Sequence, residues 1–355
     1  MIIKSFEYHE YKWDLDSVPF DSLNLMVGKN AVGKSKTLKS LIQVARFVKG
    51  DTSSVVPYFG YRCKLVFKLD DDGGEMEFSY SIGDNSVIES EFLKKGDEIV
   101  VTRKKSEARI KGDSFNPPTN KLCVQSQRDT TRYPEFEMIM TWAEQIKGFS
   151  FSGLSSSHSD DIPSMFNESI DISELYEHID NGKKDFVENK MRELNYDIEN
   201  IDLMKISDRF RIVTVKEKGI NLPLLSHTMS NGMLRVFYIF SYLTYLSSET
   251  GAKTLLIDDL GEGLDYSRSK KLSNIIFDYC EEKGIQLIVT TNDSFLMNAV
   301  DLKYWIILHR DKEHVTAISE KTNPDVFAKF KRMGLNNFDM FSTDFLAKNM
   351  KIEKK

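Results

Sequence analysis

The distribution of apolar residues predicts a core in which buried parallel strands alternate with helices. Three short runs, at residues 23–27, 254–257 and 285–289, are apolar almost throughout, and each is followed at once by glycine or a polar residue. Runs of this kind are typical of strands that are covered on both faces of a sheet. Residues 35–48 and 236–246 have apolar side chains at helical spacing, and we predict helices there.

Between residues 51 and 112 the apolar period changes to two. Residues 61–69 alternate, a turn rich in aspartate and glycine follows, and residues 75–82 alternate again. This pattern predicts a β-hairpin. A second alternating pair at 98–103 and 108–111 extends it, so we predict an antiparallel meander and not a crossover unit.

The remaining segments have weaker patterns. We predict, in order, a strand at 122–124, a helix at 135–147, a mobile serine-rich loop at 150–161, a helical lobe at 163–209, a strand at 210–215 and a hairpin formed by 304–308 and 314–318. The segment from residue 324 to residue 346 is amphipathic. We expect its apolar side to pack on the core, and a docking surface for a partner is the alternative.

Composition and charge indicate a globular protein without a general affinity for polyanions. The 355 residues are 41% hydrophobic and 29% charged, and the formal net charge is −6. Cys63, Cys123 and Cys280 are too far apart to predict a disulfide framework or a C-x-x-C metal site. Charges near the N-terminus argue against a signal peptide, and no apolar stretch is long enough to span a bilayer. We therefore expect a cytoplasmic protein that does not enter a membrane.

The apolar run at 23–27 leads into a G-x-x-x-x-G-K-S motif from Gly28 to Ser35. This spacing is that of a P-loop, whose backbone N–H groups surround phosphates at a helix N-terminus. Lys34 is expected to reach the β- and γ-phosphates, and the Ser35 hydroxyl is expected to bind magnesium. The predicted nucleotide-binding residues of this motif are Gly28, Asn30, Ala31, Val32, Gly33, Lys34, Ser35 and Lys36.

Carboxylates follow the second apolar run. Asp258 and Asp259 come directly after residues 254–257, and such strand ends lie beside the crevice where ligands of α/β sheets bind. We expect Asp258 to hold magnesium through water and Asp259 to orient the attacking water. The third run is followed by Thr290, Thr291, Asn292 and Asp293.

Three further features each admit two interpretations. Ser230, just before the predicted helix at 236–246, is a helix cap or part of an anion site. Tyr11 and Trp13 either stack on an adenine or pack within the sheet. Residues 94–111 hold seven basic and three acidic residues, and they form either a nucleic-acid contact or a solvated hairpin surface.

Together these motifs resemble those of ABC-type ATPases of the SMC, RecF and OLD-like class of prokaryotic AAA-family proteins, which includes ATPase subunits of anti-phage defence systems. Five elements carry the resemblance: Walker A at 28–35, a signature-like Ser230-Asn231-Gly232, Walker B at 254–259, a D-loop-like Gly263-Leu264-Asp265 and a switch position at Asn292. The resemblance implies an α/β fold, namely a P-loop NTPase of ABC-ATPase type with a mixed sheet core, an antiparallel β meander and an inserted helical lobe.

The resemblance also implies a head-to-tail dimer. Two ATP molecules with Mg²⁺ are sandwiched, each between the P-loop of one subunit and Ser230 and Gly232 of the other, with Asp265 in the adjoining D-loop. Gln125 or Gln127 corresponds to the family's Q-loop residue, and we assign Gln125. The implied domains are an N-terminal ATP-binding part at 1–125, a helical lobe at 126–209, a C-terminal ATP-binding part at 210–323 and a helical tail at 324–355.

Three departures from the family pattern affect the expected activity. The signature reads Met-Ser-Asn-Gly-Met, Asp259 replaces the usual glutamate, and Asn292 replaces the usual histidine. Aspartate is one methylene shorter than glutamate, and asparagine does not titrate near neutral pH. We therefore expect slow hydrolysis and a long-lived ATP-bound dimer.

The function implied is a nucleotide-gated dimeric switch, the sensor or regulatory subunit of a bacterial anti-phage system that acts on an effector protein. It assembles as an ATP-dependent homodimer or a higher oligomer. The alternative is a RecF-like repair ATPase that binds DNA through residues 94–111. A transporter subunit ranks last, because the long meander and the unusual signature fit that class poorly.

Overall fold

The computed structural model describes residues 1–51, 60–70, 73–150, 172–207, 211–247, 253–342 and 345. Within these ranges the strands are β1 (Ile2–Glu10), β2 (Trp13–Pro19), β3 (Leu23–Val27), β4 (Tyr61–Lys68), β5 (Glu75–Ile82), β6 (Ile88–Lys95), β7 (Glu98–Lys104), β8 (Glu107–Ile110), β9 (Asp113–Phe115), β10 (Ile146–Ser150), β11 (Ile198–Lys205), β12 (Arg211–Glu217), β13 (Leu224–Leu225), β14 (Thr254–Asp258), β15 (Gln286–Thr290), β16 (Trp305–Asp311) and β17 (His314–Ser319).

The helices in the same ranges are α1 (Lys34–Val48), α2 (Cys123–Ser126), α3 (Pro134–Gln145), α4 (Ile172–Glu177), α5 (Asn181–Glu193), α6 (Asn231–Leu246), α7 (Tyr266–Glu282), α8 (Ser294–Ala299), α9 (Pro324–Arg332) and α10 (Asn337–Ser342). In this described part of the chain, every helix is too short or too polar to cross a bilayer.

One mixed sheet runs through the described structure. Its order is β10-β14-β15-β3-β16-β17-β2-β1-β4-β5-β6-β7-β8-β9. The first five strands are parallel neighbours, and from β2 to β9 every neighbouring pair is antiparallel. The predicted α/β class with a mixed sheet and an antiparallel meander is therefore confirmed.

The parallel strands are buried on both faces, as their apolar runs predict. Every residue of β3, β14 and β15 is buried. Alternate residues of β14 face opposite sides, so Leu255 and Ile257 lie in the core beneath α6 and α7, whereas Leu256 lies in the core beneath α1. The sheet is therefore covered on both faces at these strands.

The structure corrects several predicted elements. Residues 122–124 do not form a strand, because α2 begins at Cys123, and three apolar residues are too few to distinguish strand from helix. The predicted helix at 135–147 ends at Gln145, and β10 follows it directly. The predicted helical lobe also contains β11, which forms a second sheet with β12 and β13.

Other predicted segments are confirmed or lie outside the described residues. The hairpin formed by β16 and β17 is confirmed, and β6 and β9 extend the predicted meander. The C-terminal segment packs on the core, since Phe327, Phe330, Met340 and Phe345 are buried. The serine-rich loop predicted at 150–161 lies outside the described residues beyond its first residue.

All three cysteines are buried. Cys63 lies on β4, Cys123 begins α2, and Cys280 lies near the end of α7. Burial raises the pKa of each thiol, and the pKa of Cys63 is raised to about 12. The three thiols therefore serve as small core side chains.

A buried ion pair joins the meander to α2. The Glu91 carboxylate on β6 accepts hydrogen bonds from the backbone N–H groups of Cys123, at 2.6 Å, and Val124, at 3.3 Å. The Arg103 guanidinium on β7 lies 3.7 Å from Glu91 and donates to the carbonyl oxygens of Lys121 and Pro118. Both side chains are fully buried.

We predict that Glu91→Ala lowers the free energy of unfolding by about 3–5 kcal/mol, because it leaves Arg103 buried without its carboxylate. A urea titration followed by circular dichroism measures the loss. Glu107→Ala, an exposed change on the neighbouring strand β8, is the control and should stay within about 0.5 kcal/mol of the wild type. Equal stability of the two variants would contradict a structural role for the ion pair.

Candidate nucleotide-binding site

The glycines of the P-loop are required by their surroundings. Gly33 precedes α1 with φ of 107°, in the left-handed region, and a Cβ there would lie 1.7 Å from the Trp13 ring. A Cβ on Gly28 would lie 2.6 Å from Cγ2 of Val32 and 2.9 Å from the carbonyl oxygen of Leu308. A larger residue at either position would displace the loop, so the motif is set by packing as well as by its expected ligand.

The aromatic residues near the loop have different environments. Trp13 is buried against Gly33, and the Lys36 ammonium lies 4.6 Å from its ring centroid. Tyr11 is 64% exposed. The prediction that Trp13 packs within the protein is therefore confirmed, and its ring packs against the P-loop at Gly33.

Lys34, the first residue of α1, points back into the loop. Its Nζ donates to the carbonyl oxygen of Gly28 and to Oδ1 of Asn292, both at 2.8 Å. Desolvation lowers the pKa of Lys34, while the charges of Asp259 and Asp258 oppose that shift. A compact cation with rotatable donors is thus held at the loop, where it can bind a phosphate.

Ser35 and Asp258 meet at the expected magnesium position. The Ser35 hydroxyl donates to Oδ1 of Asp258 at 2.9 Å, and the Thr290 hydroxyl donates to the same oxygen at 2.6 Å. Oxygen ligands of this kind suit Mg²⁺, which is usually held by one or two protein groups together with phosphates and water. The hydroxyl of Ser35 and the carboxylate of Asp258 are therefore a donor set that fits a metal shared with a nucleotide.

Asp259 occupies a strained position beside Asp258. Its φ is 55°, in the left-handed region that few residues other than glycine adopt. Its pKa is raised, chiefly by burial and then by the charges of Asp258 and Glu262. Nδ2 of Asn292 donates to Oδ1 of Asp259 at 3.0 Å, so the Asn292 amide joins Asp259 to Lys34.

The signature-like segment packs against the D-loop-like segment. A Cβ on Gly232 would lie 2.8 Å from the carbonyl oxygen of Gly263. The Arg235 guanidinium lies 3.0 Å from the carboxylate of Glu262 in the same turn. The two segments are therefore in direct contact at the start of α6.

Ser230 and Asp265 both cap helices. The Ser230 hydroxyl accepts a hydrogen bond from the Met233 N–H at 3.2 Å, and the Asp265 carboxylate accepts one from the Arg268 N–H at 3.0 Å. The helix-cap interpretation of Ser230 is thus confirmed. Ser230 is exposed. The contact with nucleotide that the resemblance implies for Ser230 stays a prediction.

The structure does not bring Gln125 to this site. The Gln125 side chain donates to the carbonyl oxygens of Phe47, at 2.6 Å, and Val48, at 3.1 Å, and accepts from the Leu122 N–H. Phe47 lies 13 residues along α1 from Lys34, a distance of about 20 Å along the helix axis. Gln125 therefore ties α2 to the far end of α1, and Gln127 follows at the end of α2.

Topology indicates which segment adjoins Asp258 on the side away from the P-loop. Strand β10 is the parallel neighbour of β14, and its last residue, Ser150, is in register with Asp258. The end of β10 therefore lies beside Asp258, whereas Gln125 lies at the far end of α1. Strand β10 was not predicted from the sequence, because it begins at the residue after helix α3 and no turn signal separates the two.

The remaining predicted residues are brought together at one edge of the sheet. Asn30, Ala31 and Val32 lie in the loop, with φ of 64° at Ala31, and Lys36 lies in the first turn of α1. Thr290, to which the sequence assigned no role, also contacts both aspartates. Its position at a strand end, two residues before Asn292, was the only signal available.

Comparisons with known proteins agree with this geometry. The fold is that of a P-loop NTPase of ABC type, as the sequence resemblance predicts. The chain belongs to the family described as "AAA domain, putative AbiEii toxin, Type IV TA system", whose model matches residues 23–298. A comparison with curated protein sequences found no match.

Solved structures of SMC heads are among those that match this chain. A head bound to the C-winged helix domain of ScpA is 13% identical with a TM-score of 0.53, and the match covers 91% of this chain and 100% of the other. A head domain from Thermotoga maritima is 12% identical with a TM-score of 0.47, over 90% and 99%. A head with an extended coiled coil, bound to a C-terminal domain of ScpA derived from Pyrococcus furiosus, is 12% identical with a TM-score of 0.49, over 93% and 99%.

We predict that Lys34→Ala abolishes nucleotide binding, because the phosphates lose the cation that the loop holds for them. Titration with a fluorescent ATP analogue measures the loss. Lys39→Ala, a change of the same type further along α1, is the control and should bind as the wild type does. Wild-type affinity in Lys34→Ala would contradict the assignment of the loop.

Proposed function

We propose that this protein binds ATP with Mg²⁺, hydrolyses it slowly and acts as a nucleotide-gated dimeric switch. The observation that carries the proposal is the convergence of five side chains at one sheet edge. Asn292 hydrogen-bonds to both Lys34 and Asp259, and Ser35 hydrogen-bonds to Asp258. Groups of these types are those that phosphoryl transfer requires.

Each side chain has a role in binding. The backbone of the P-loop and the Lys34 ammonium hold the phosphates, and Ser35 and Asp258 hold the metal. When bound, Mg²⁺ neutralises charge on the phosphate oxygens. The Ser35 hydroxyl now donates to Asp258, so both oxygens already lie where a shared cation is to be bound.

Asp259 is the proposed base for hydrolysis. Its carboxylate directly follows the proposed metal ligand Asp258 in the chain and is linked to Lys34 through the Asn292 amide. The Asn292 amide orients it through the 3.0 Å hydrogen bond. Because aspartate is short and Asn292 does not titrate, we expect slow turnover.

The dimer is supported by the exposed Ser230 and by the packing of Gly232 against the D-loop-like turn. A second subunit has access to the N-terminus of α6 there. The family description names a toxin and a type IV system, and the SMC head of the solved structure is bound to another protein. These names support a role in bacterial defence in which the closed dimer acts on an effector protein.

The alternative of a DNA-binding repair ATPase remains a prediction. Several basic side chains of residues 94–111 are paired with carboxylates, including Arg103 with Glu91 and Lys111 with Glu98 and Glu135. This pairing reduces the charge available for phosphates. DNA binding measured over a range of salt concentrations, with and without ATP, separates the two functions, because contacts with DNA phosphates give a steep salt dependence.

We predict that Ser230→Arg blocks ATP-induced dimerisation and leaves ATP binding by the monomer unchanged, because the signature serine is expected to contact nucleotide only across the dimer. Light scattering with ATP measures the dimer. Asp301→Arg removes another side-chain cap, one that accepts from the Lys303 N–H, and serves as the control for lost capping. An unchanged dimer in Ser230→Arg would overturn the sandwich arrangement.

We predict that Asp259→Asn retains the fold and ATP binding but loses turnover and accumulates the dimer. Asparagine tolerates the left-handed backbone at this position and lacks only the acceptor charge. Asp259→Glu lengthens the reach and should raise the hydrolysis rate on the order of tenfold or more. Phosphate release measures both rates.

An unchanged or lower rate in Asp259→Glu, with ATP affinity intact, would show that Asp259 is not the base. Glu262 or Asp293 would then become the candidate.

A further inference from the structure

Thr290 is the last residue of β15 and is fully buried. Strand β15 lies between β14 and β3 in the sheet. Its hydroxyl donates to Oδ1 of Asp258 at 2.6 Å and accepts from the backbone N–H of Asp259 at 2.9 Å. One hydroxyl therefore contacts both residues of the aspartate pair. It does so from the neighbouring strand, 32 residues later in the chain than Asp258.

Thr290 donates to the same carboxylate oxygen of Asp258 that accepts a hydrogen bond from Ser35. Oδ1 of Asp258 accepts from the Ser35 hydroxyl at 2.9 Å as well as from Thr290. Two donors that reach one carboxylate oxygen from different elements restrict rotation of the carboxylate. Thr290 thereby sets the direction in which Asp258 faces the proposed metal.

The contact with Asp259 supports a backbone conformation that aspartate adopts only at a cost. Asp259 has φ of 55°, and the following N–H, that of Leu260, donates to the Thr290 carbonyl oxygen at 2.8 Å. The hydroxyl and the carbonyl of one residue thus hold two successive N–H groups of the turn. This turn is what brings the Asp259 side chain to Asn292.

The side chain at this position must both donate and accept. A hydroxyl does so, since it has one O–H and two lone pairs. Valine has the same shape as threonine and does neither, whereas serine retains both functions without the methyl group. The residue type therefore distinguishes a role through the hydroxyl from a role through packing alone.

We propose that Thr290 is a positioning residue for ATP hydrolysis, whose single hydroxyl orients Asp258 towards the metal and holds Asp259 in the turn that presents it as the base. The proposal rests on the proposed ATPase function. It assigns Thr290 no contact with substrate, and its effect passes through the two aspartates.

The test compares Thr290→Val, Thr290→Ser and Thr254→Val with the wild type. Thr254 is buried at the opposite end of β14, and its hydroxyl donates to Oε1 of Gln286 at 3.2 Å. Thr254→Val therefore removes the same hydroxyl group from the same sheet, at a position about 13 Å along the strand from Asp258. Binding of a fluorescent ATP analogue is titrated with Mg²⁺ and repeated in EDTA, and turnover is measured separately.

We expect Thr290→Val to raise the Mg²⁺ concentration for half-maximal binding and to lower turnover, each on the order of 10- to 100-fold, with affinity in EDTA unchanged. Thr290→Ser should restore both quantities to within a few fold, and Thr254→Val should change neither. If Thr290→Val does not fold, Thr290→Ala removes the same hydroxyl without steric conflict and is expected to give the same shift.

Wild-type Mg²⁺ dependence and turnover in the folded Thr290→Val or Thr290→Ala protein would overturn the positioning role. An equal loss in Thr290→Ser would do the same, because packing and not the hydroxyl would then be responsible. These results are distinct from failure of the proposed function, in which the wild type itself would bind no ATP analogue.

Discussion

The parallel pairing of β3, β15 and β14 is the constraint on which the candidate site depends. Parallel strands place their carboxyl ends at one edge of the sheet, and here β15 pairs with both of the others. The P-loop follows β3, the segment from Thr290 to Asn292 begins at the last residue of β15, and the two aspartates begin at the last residue of β14. The Asp258 carboxylate then links all three segments, because it accepts from Ser35 after β3 and from Thr290 on β15.

At the same edge of the sheet, the positive charge of Lys34 is stabilised by hydrogen bonds, one of them to Asn292. A buried ammonium loses solvation, and the loop carbonyl of Gly28 and the Asn292 amide oxygen replace part of that solvation at 2.8 Å. A phosphate that binds Lys34 must compete with these two acceptors. Because the Asn292 amide also contacts Asp259, exchange at Lys34 alters the hydrogen bonding of the proposed base.

The sequence predicted the features that local pattern and motif determine. The apolar runs identified β3, β14 and β15, and the glycine spacing identified the loop, because both signals lie within a few consecutive residues. Strand β10 was missed because it continues from helix α3 without a turn signal. Gln125 was assigned by its order in the chain, whereas its partners, Phe47 and Val48, lie 77 or more residues away. Thr290 was missed for a similar reason, since its importance comes from a hydroxyl that bridges two strands.

The burial of the three cysteines has a practical consequence. At neutral pH a thiol whose pKa is near 12 is almost entirely protonated, and the thiolate is the form that reacts with maleimides and oxidants. Cys63, Cys123 and Cys280 should thus remain unmodified while the protein is folded. A single cysteine introduced on the surface would then be the selective attachment point for a spin label or a fluorophore, with no need to replace the native residues.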